Sequence, residues 1–172
     1  MADELQIAPG EVTDTKLAVL CDSIRDDPPD ILILCGCRRV TNISFLVQLS
    51  TISHLDISGC NPEGGAKGGS HLAGAIKDMG AMKKIDISSN GLRAEGGKAL
   101  AAGLKGNLVI TELNISSNRL GQNSEYGHDT SGVVAIADAI PDMGAMTSLN
   151  LASNSLGVEG AKIIAAFLPK CT

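Results

Sequence analysis

Five short segments of the chain share one alternation of apolar and polar positions. They read Leu32-Ile-Leu-Cys-Gly-Cys37, Leu55-Asp-Ile-Ser-Gly-Cys60, Ile85-Asp-Ile-Ser-Ser-Asn90, Leu113-Asn-Ile-Ser-Ser-Asn118 and Leu149-Asn-Leu-Ala-Ser-Asn154. Each has the form L-x-L-x-x-N/C. A period of two predicts a half-buried strand. Leu55, Ile57, Ile85, Ile87, Leu113, Ile115, Leu149 and Leu151 are expected to face the core, because alternate side chains of a strand share one face. Asn90, Asn118 and Asn154 stand where each strand turns away. A buried amide there can serve as both donor and acceptor for backbone groups that have left the sheet. Cys37 and Cys60 hold the same place in the first units, and a thiol tolerates burial as a weak donor.

A helical pattern follows the later strands. It opens at Gly68, Gly96, Gly132 and Gly160 and places Leu100 with Leu104 and Ile164 with Leu168 on one helix face. The small residues within it, such as Gly74, Ala101 and Gly103, suit close helix contact. The pentapeptide Asp-Met-Gly-Ala-Met occurs at 78–82 and again at 142–146, and its Met residues read as core filler. Between the Cys or Asn positions the spacings are 23, 30, 28 and 36 residues. The basic period is 28. The short first spacing predicts a reduced or absent helix in 38–50. The long spacings predict insertions at 61–67 and within 121–131. A helix is expected near Asp14 to Arg25, ended by Pro28-Pro29. The organisation read from this is an N-terminal flank or cap with one helix over 1–30 and a repeat domain over 31–172.

A unit of strand, Asn or Cys turn, loop and helix, repeated in register, resembles the leucine-rich repeat family in its ribonuclease-inhibitor-like subclass. The resemblance covers roughly residues 30–170. The opening Gly157, Gly160 and Ala161 of the last helix is similar to Ran GTPase-activating proteins, tropomodulin-like actin regulators and intracellular immune sensors. The implied fold is an α/β right-handed solenoid of about five repeats, a horseshoe with a parallel concave sheet and outer helices. Such units bury a continuous core only by stacking on their neighbours.

In such a stack the remaining strand positions face the concave side in columns. The first column is Ile31, His54, Lys84, Glu112 and Ser148. The second is Ile33, Asp56, Asp86, Asn114 and Asn150. The third is Cys35, Ser58, Ser88, Ser116 and Ala152. The surface is therefore expected to be polar and acidic in its middle and apolar at its N-terminal end. Asp56 and Asp86 are expected side by side, which reads as family consensus in preference to a metal or catalytic pair. The insertions are expected on one rim, where repeat proteins often bind, with Glu63, Lys67, Glu125, Tyr126, His128 and Asp129 as candidate contacts. Tyr126 is the only tyrosine, and tyrosine is a frequent interface hot spot.

Composition narrows the function classes. With two Phe, one Tyr and no Trp, the core must be aliphatic. A net charge of −5 and the lack of interleaved aromatics argue against nucleic acid. The apolar run at Ile31 to Cys35 is far below the roughly 18 residues of a membrane span. The acidic start Met1-Ala2-Asp3-Glu4 does not read as a signal peptide. The odd set Cys21, Cys35, Cys37, Cys60 and Cys171 fits a reducing compartment, so a cytoplasmic protein is expected. No zinc spacing accompanies Cys35 and Cys37. Lys67 precedes its Gly pair, so the phosphate-loop order fails. His54, His71 and His128 fall in different parts of the repeat and suggest no triad.

The function expected from these residues is a non-enzymatic, cofactor-free module that offers a rigid concave sheet and rim loops to a protein partner, with neither nucleic acid nor membrane. The alternatives are a small-GTPase regulator resembling the Ran-activating proteins and a structural fragment of a longer array. The last unit lacks a polar cap, so Leu149, Leu151 and Ile164 are expected either to continue into further repeats or to be covered by self-association.

Overall fold

The computed structural model describes residues 3–8, 12–38, 43–60, 65–123 and 127–167. Six three-residue strands carry the architecture: β1 (Glu4–Gln6), β2 (Ile31–Ile33), β3 (His54–Asp56), β4 (Lys84–Asp86), β5 (Glu112–Asn114) and β6 (Ser148–Asn150). They form one parallel sheet in sequential order. The helices are α1 (Asp14–Ser23), α2 (Gly65–Asp78), α3 (Arg93–Leu104), α4 (Ser131–Ala139) and α5 (Gly157–Phe167). Parallel neighbours need a crossover; α1 lies between β1 and β2, α2, α3 and α4 join the strands from β3 to β6, and α5 follows β6. The fold is an α/β repeat solenoid.

The short first spacing has the expected effect. Between β2 and β3 the described residues form a 3₁₀ turn at Ser44–Gln48 and no α-helix. Leu46 and Leu49 still fill the helix layer and are fully buried. The flank contributes a strand that the sequence pattern did not reveal. Leu5 and Ile7 carry the L-x-L alternation, but Gly10 stands where Asn or Cys would mark the turn. Pairing of Leu5 with Leu32, and of the Ile7 N–H with the Ile33 carbonyl at 2.9 Å, makes this segment the first strand of the sheet. The flanking helix runs to Ser23, and its N-cap Thr13 accepts the Lys16 N–H.

Leu32, Leu55, Ile85 and Leu113, at the centres of four strands, are 3% exposed or less. Ile57, Ile87 and Ile115 follow them into the same core. Met79, Met82 and Met143 are buried between sheet and helices, where an unbranched side chain fills irregular gaps. Leu149 and Leu151, expected to face the core from the open flank of the last unit, are half-buried. Among the described residues no strand pairs with the outer edge of β6, so these side chains have a neighbour on one side alone.

The turns are held by a ladder of buried amides. Asn90 Nδ2 donates to the carbonyls of Ile87 (2.9 Å) and, in the preceding unit, Ile57 (3.1 Å). Asn118 repeats this with Ile115 and Ile87, and Asn154 with Leu151 and Ile115. In the earlier units cysteine replaces the amide. Cys60 Sγ donates to the Leu34 carbonyl at 2.8 Å, and Cys37 Sγ faces the Ala8 carbonyl at 3.9 Å. Burial pushes the Cys60 thiol up to about 12, so it remains a neutral donor.

The helix row is close-packed because backbone meets backbone. A Cβ on Gly132 of α4 would lie 2.7 Å from the Cα of Ala94 in α3, and one on Gly96 would lie 2.5 Å from the Gly65 carbonyl oxygen. Glycine is unfavourable inside a helix. Here it permits the approach that stacks one unit on the next.

Candidate interaction surface

The strand register brings the expected columns together. Ile31, His54, Lys84, Glu112 and Ser148 stand abreast. Ile33, Asp56, Asp86, Asn114 and Asn150 form the next row. β1 adds Glu4 beside Ile31 and Gln6 beside Ile33. Together the rows line a shallow groove of about 310 Å³ on the open face of the sheet.

Within the first row Lys84 Nζ lies 2.7 Å from Glu112 Oε1, with each side chain 46% exposed. An exposed pair of this kind contributes about 0.2–1 kcal/mol. His54 Nδ1 is 2.7 Å from the Ser53 hydroxyl.

The second row has a structural role that its spacing did not announce. Asp56 Oδ1 accepts the Ser58 N–H and Asp86 Oδ1 accepts the Ser88 N–H, both at 2.8 Å. Asn114 does the same for Ser116 at 3.1 Å, and Asn150 for Ala152 at 3.0 Å. Each side chain thereby closes a turn on its own backbone two residues on, a habit of Asp and Asn. Asp86 Oδ2 also accepts Asn114 Nδ2 at 2.7 Å. Asp56 and Asp86 are register neighbours as expected. Among the described residues no group of three or more His, Cys, Asp or Glu is placed to hold a metal ion. In the third column the Ser58 hydroxyl lies 3.1 Å from Cys35 Sγ.

The rim departs from the expectation at one residue. Lys67 was placed in a projecting loop, but α2 already begins at Gly65, so Lys67 lies in its first turn. Glu63, Glu125 and Tyr126 lie outside the described residues. The part of the second insertion that is described is ordered by hydrogen bonds. Gln122 and His128 form an antiparallel bridge, and the Asp129 N–H donates to the Gly121 carbonyl at 3.0 Å. The Ser131 N–H donates to Asp129 Oδ1 at 2.9 Å, and Ser131 holds the Asp129 carboxyl below the usual carboxylate range. Asp129 thus braces the start of α4.

A second concavity, of about 630 Å³, lies at the turns that follow the strands. It is lined by Arg38, Arg93 and Arg119 with Gly59, Gly65, Gly91, Ser89 and Ser117. None of these arginines was among the sequence candidates. A signal was present, since Arg38 and Arg119 each directly follow the Cys or Asn of their turn. The repeat register therefore aligns them on one side.

Among the described residues no helix is long and apolar enough to cross a membrane. No curated protein matches the sequence. A family model described as Leucine Rich repeat matches residues 82–101 and 146–165. Both matched stretches begin at a methionine before a strand and run through the Asn turn into the following helix, the same unit that builds the solenoid. Matches and architecture together support a leucine-rich repeat family for this chain.

Proposed function

We propose that the chain is a protein-interaction module that works by binding, presenting the open face of its sheet and the adjoining rim loops to a protein partner. Leucine-rich repeats generally mediate protein–protein interaction. The observation that carries the reading is the register of His54, Lys84, Glu112 and Ser148 over Asp56, Asp86, Asn114 and Asn150. The second row, held by turn-closing hydrogen bonds, is formed before a partner arrives, so little of its ordering entropy is lost on binding. The exposed Lys84–Glu112 pair is weak enough for a partner's charge to replace it. Tyr126, Glu125 and Glu63 belong to the proposed surface by their place in the insertions. A cytosolic setting is part of the proposal. It is supported by Cys60, whose thiol is used as a hydrogen-bond donor, a role that requires the reduced form.

Photo-crosslinking from single positions tests this. A photoreactive residue replaces Lys84 or Ser148 on the sheet face, or the exposed Lys77 or Lys105 on the helix side, and adducts formed in cell extract are identified by mass spectrometry. A shared adduct from the two sheet positions and none from the helix positions is expected. Adducts confined to the helix positions, or equal from both sides, overturn the proposal.

A further inference from the structure

The chain is acidic, with a net charge of −5, and has five arginines. Three of them, Arg38, Arg93 and Arg119, line the concavity at the strand-exit turns. They come from three different turns, and among the described residues no carboxylate lines the concavity with them. Arg25, Lys84, Lys98 and Lys162 each have a carboxylate partner. Among the described residues Arg38, Arg93 and Arg119 have none. Three like charges gathered without counter-charge repel one another, so the arrangement is poised for an anion.

The backbone adds to this. Arg93 and Arg119 hold left-handed φ angles of 57° and 58°. At the equivalent positions of other turns Gly157 matches Arg93, and Gly91 and Ser155 match Arg119, all with left-handed φ. An L side chain is disfavoured there, and strain of this kind concentrates at functional sites.

The shape selects among anions. A second concavity of about 430 Å³ shares Ser117 and Arg119 with the first and continues to Ser153 and Ser155. The trough therefore runs across successive turns. The turns bearing Arg38 and Arg119 are three strand spacings apart, roughly 14 Å. One phosphate is too small to engage guanidinium groups spread over that length. Among the described residues no aromatic side chain lines either part, so none of them offers a nucleotide base a stacking platform. An extended peptide advances about 3.3 Å per residue, and a few residues of it span the arginines. Guanidinium groups pair carboxylates with a planar two-pronged geometry.

We infer that this arginine-lined trough binds an extended acidic segment, rich in glutamate or aspartate, of a protein partner. The inference rests on the reading of the chain as an interaction module and adds a partner class and a second contact. The open sheet face is acidic in its middle and the trough is cationic, so one partner touching both is oriented by charge.

The test uses the full chain and a fluorescein-labelled peptide of alternating Glu and Gly, followed by fluorescence anisotropy, with the matched Gln and Gly peptide as control. The Glu peptide is expected to bind at least about tenfold more tightly than the Gln peptide and to weaken between about 50 and about 200 mM sodium chloride. The triple variant Arg38→Gln, Arg93→Gln, Arg119→Gln is expected to lose at least about tenfold in affinity. The charge-matched variant Lys16→Gln, Lys77→Gln, Lys105→Gln is expected to retain it. Circular dichroism confirms that each variant is folded, and Arg119→Gln alone, with an intermediate loss, serves if the triple variant is not. Equal losses in both triple variants overturn the inference. So does displacement of the peptide by equimolar inorganic phosphate, which marks a single-anion site, or binding to phosphatidylserine vesicles without binding to the peptide. Failure here with sheet-face crosslinks intact removes the trough alone, and the reverse result removes the sheet-face reading alone.

Discussion

The side-chain oxygen of Asn154 accepts the backbone N–H of Asn118 at 2.8 Å, across 36 residues of sequence. Asn118 in turn accepts the N–H of Asn90 at 2.9 Å, 28 residues earlier. These bonds carry the register of the turns from unit to unit whatever the length of the intervening loop. The eight residues added between the last two turns therefore leave the sheet undisturbed.

Asn118→Ala removes a buried donor from the Ile87 and Ile115 carbonyls and the acceptor of the Asn90 N–H. The two carbonyls keep the Asn90 and Asn154 amides, so the Asn90 N–H is the buried group left orphaned, at about 1–3 kcal/mol. A loss of about 1–3 kcal/mol is expected in urea unfolding. A loss below about 1 kcal/mol would show that the ladder is dispensable.

Two glycines should respond with opposite signs. Gly74 is exposed within α2 and a Cβ there meets nothing within 4 Å. Gly74→Ala should raise stability by about 0.5–1 kcal/mol through helix propensity. Gly132→Ala should lower it by about 1–3 kcal/mol, because the new methyl overlaps the Ala94 backbone. Thermal melts of both variants decide this. The same sign for both would mean that α3 and α4 are not in backbone contact.

Thiol reactivity should separate the cysteines. Burial raises Cys21 to about 11 and Cys60 to about 12, whereas Cys35 is exposed. Iodoacetamide under native conditions should modify Cys35 well before Cys21 or Cys60, as read by peptide mapping. Modification of Cys60 at the rate of Cys35 would contradict its place in the core.

The same thiols set a pH dependence. Their folded values lie above the ordinary value of 9.0, so the native state holds these protons after the unfolded chain has released them. Stability from this source is fully present below pH 9.0 and declines as pH rises toward about 11 and about 12. The slope is at most about 1.4 kcal/mol per pH unit for each thiol. Urea midpoints should fall less steeply above pH 9.0 for Cys60→Ala than for the parent chain. Equal slopes would remove the thiol from the explanation.

Lys84→Ala should change stability by less than about 1 kcal/mol, since its pair with Glu112 is half in solvent. The difference should shrink in concentrated salt. A larger, salt-insensitive loss would assign Lys84 a packing role.

Much of the sheet face was legible in advance because the L-x-L alternation sets which side chain points where. Once Leu55, Ile85 and Leu113 align, His54, Lys84 and Glu112 must align too. The turn-closing role of Asp56 and Asp86 was less visible. It depends on the local backbone path, which bends back toward Ser58 and Ser88 after each strand. β1 escaped notice because the sequence has Gly10 at the position where the other units carry Asn or Cys.

The amino-acid order alone determined the repeating unit, the aliphatic layer and the place of each Asn or Cys, since burial acts residue by residue and leaves a periodic trace. Only the tertiary structure decided that Arg38, Arg93 and Arg119 share one trough, that Gly132 lies against Ala94, and that the flank begins the sheet. Those outcomes depend on how far one unit is displaced from the next. Contacts between successive backbones, summed along the stack, set that displacement, and a local pattern does not encode it.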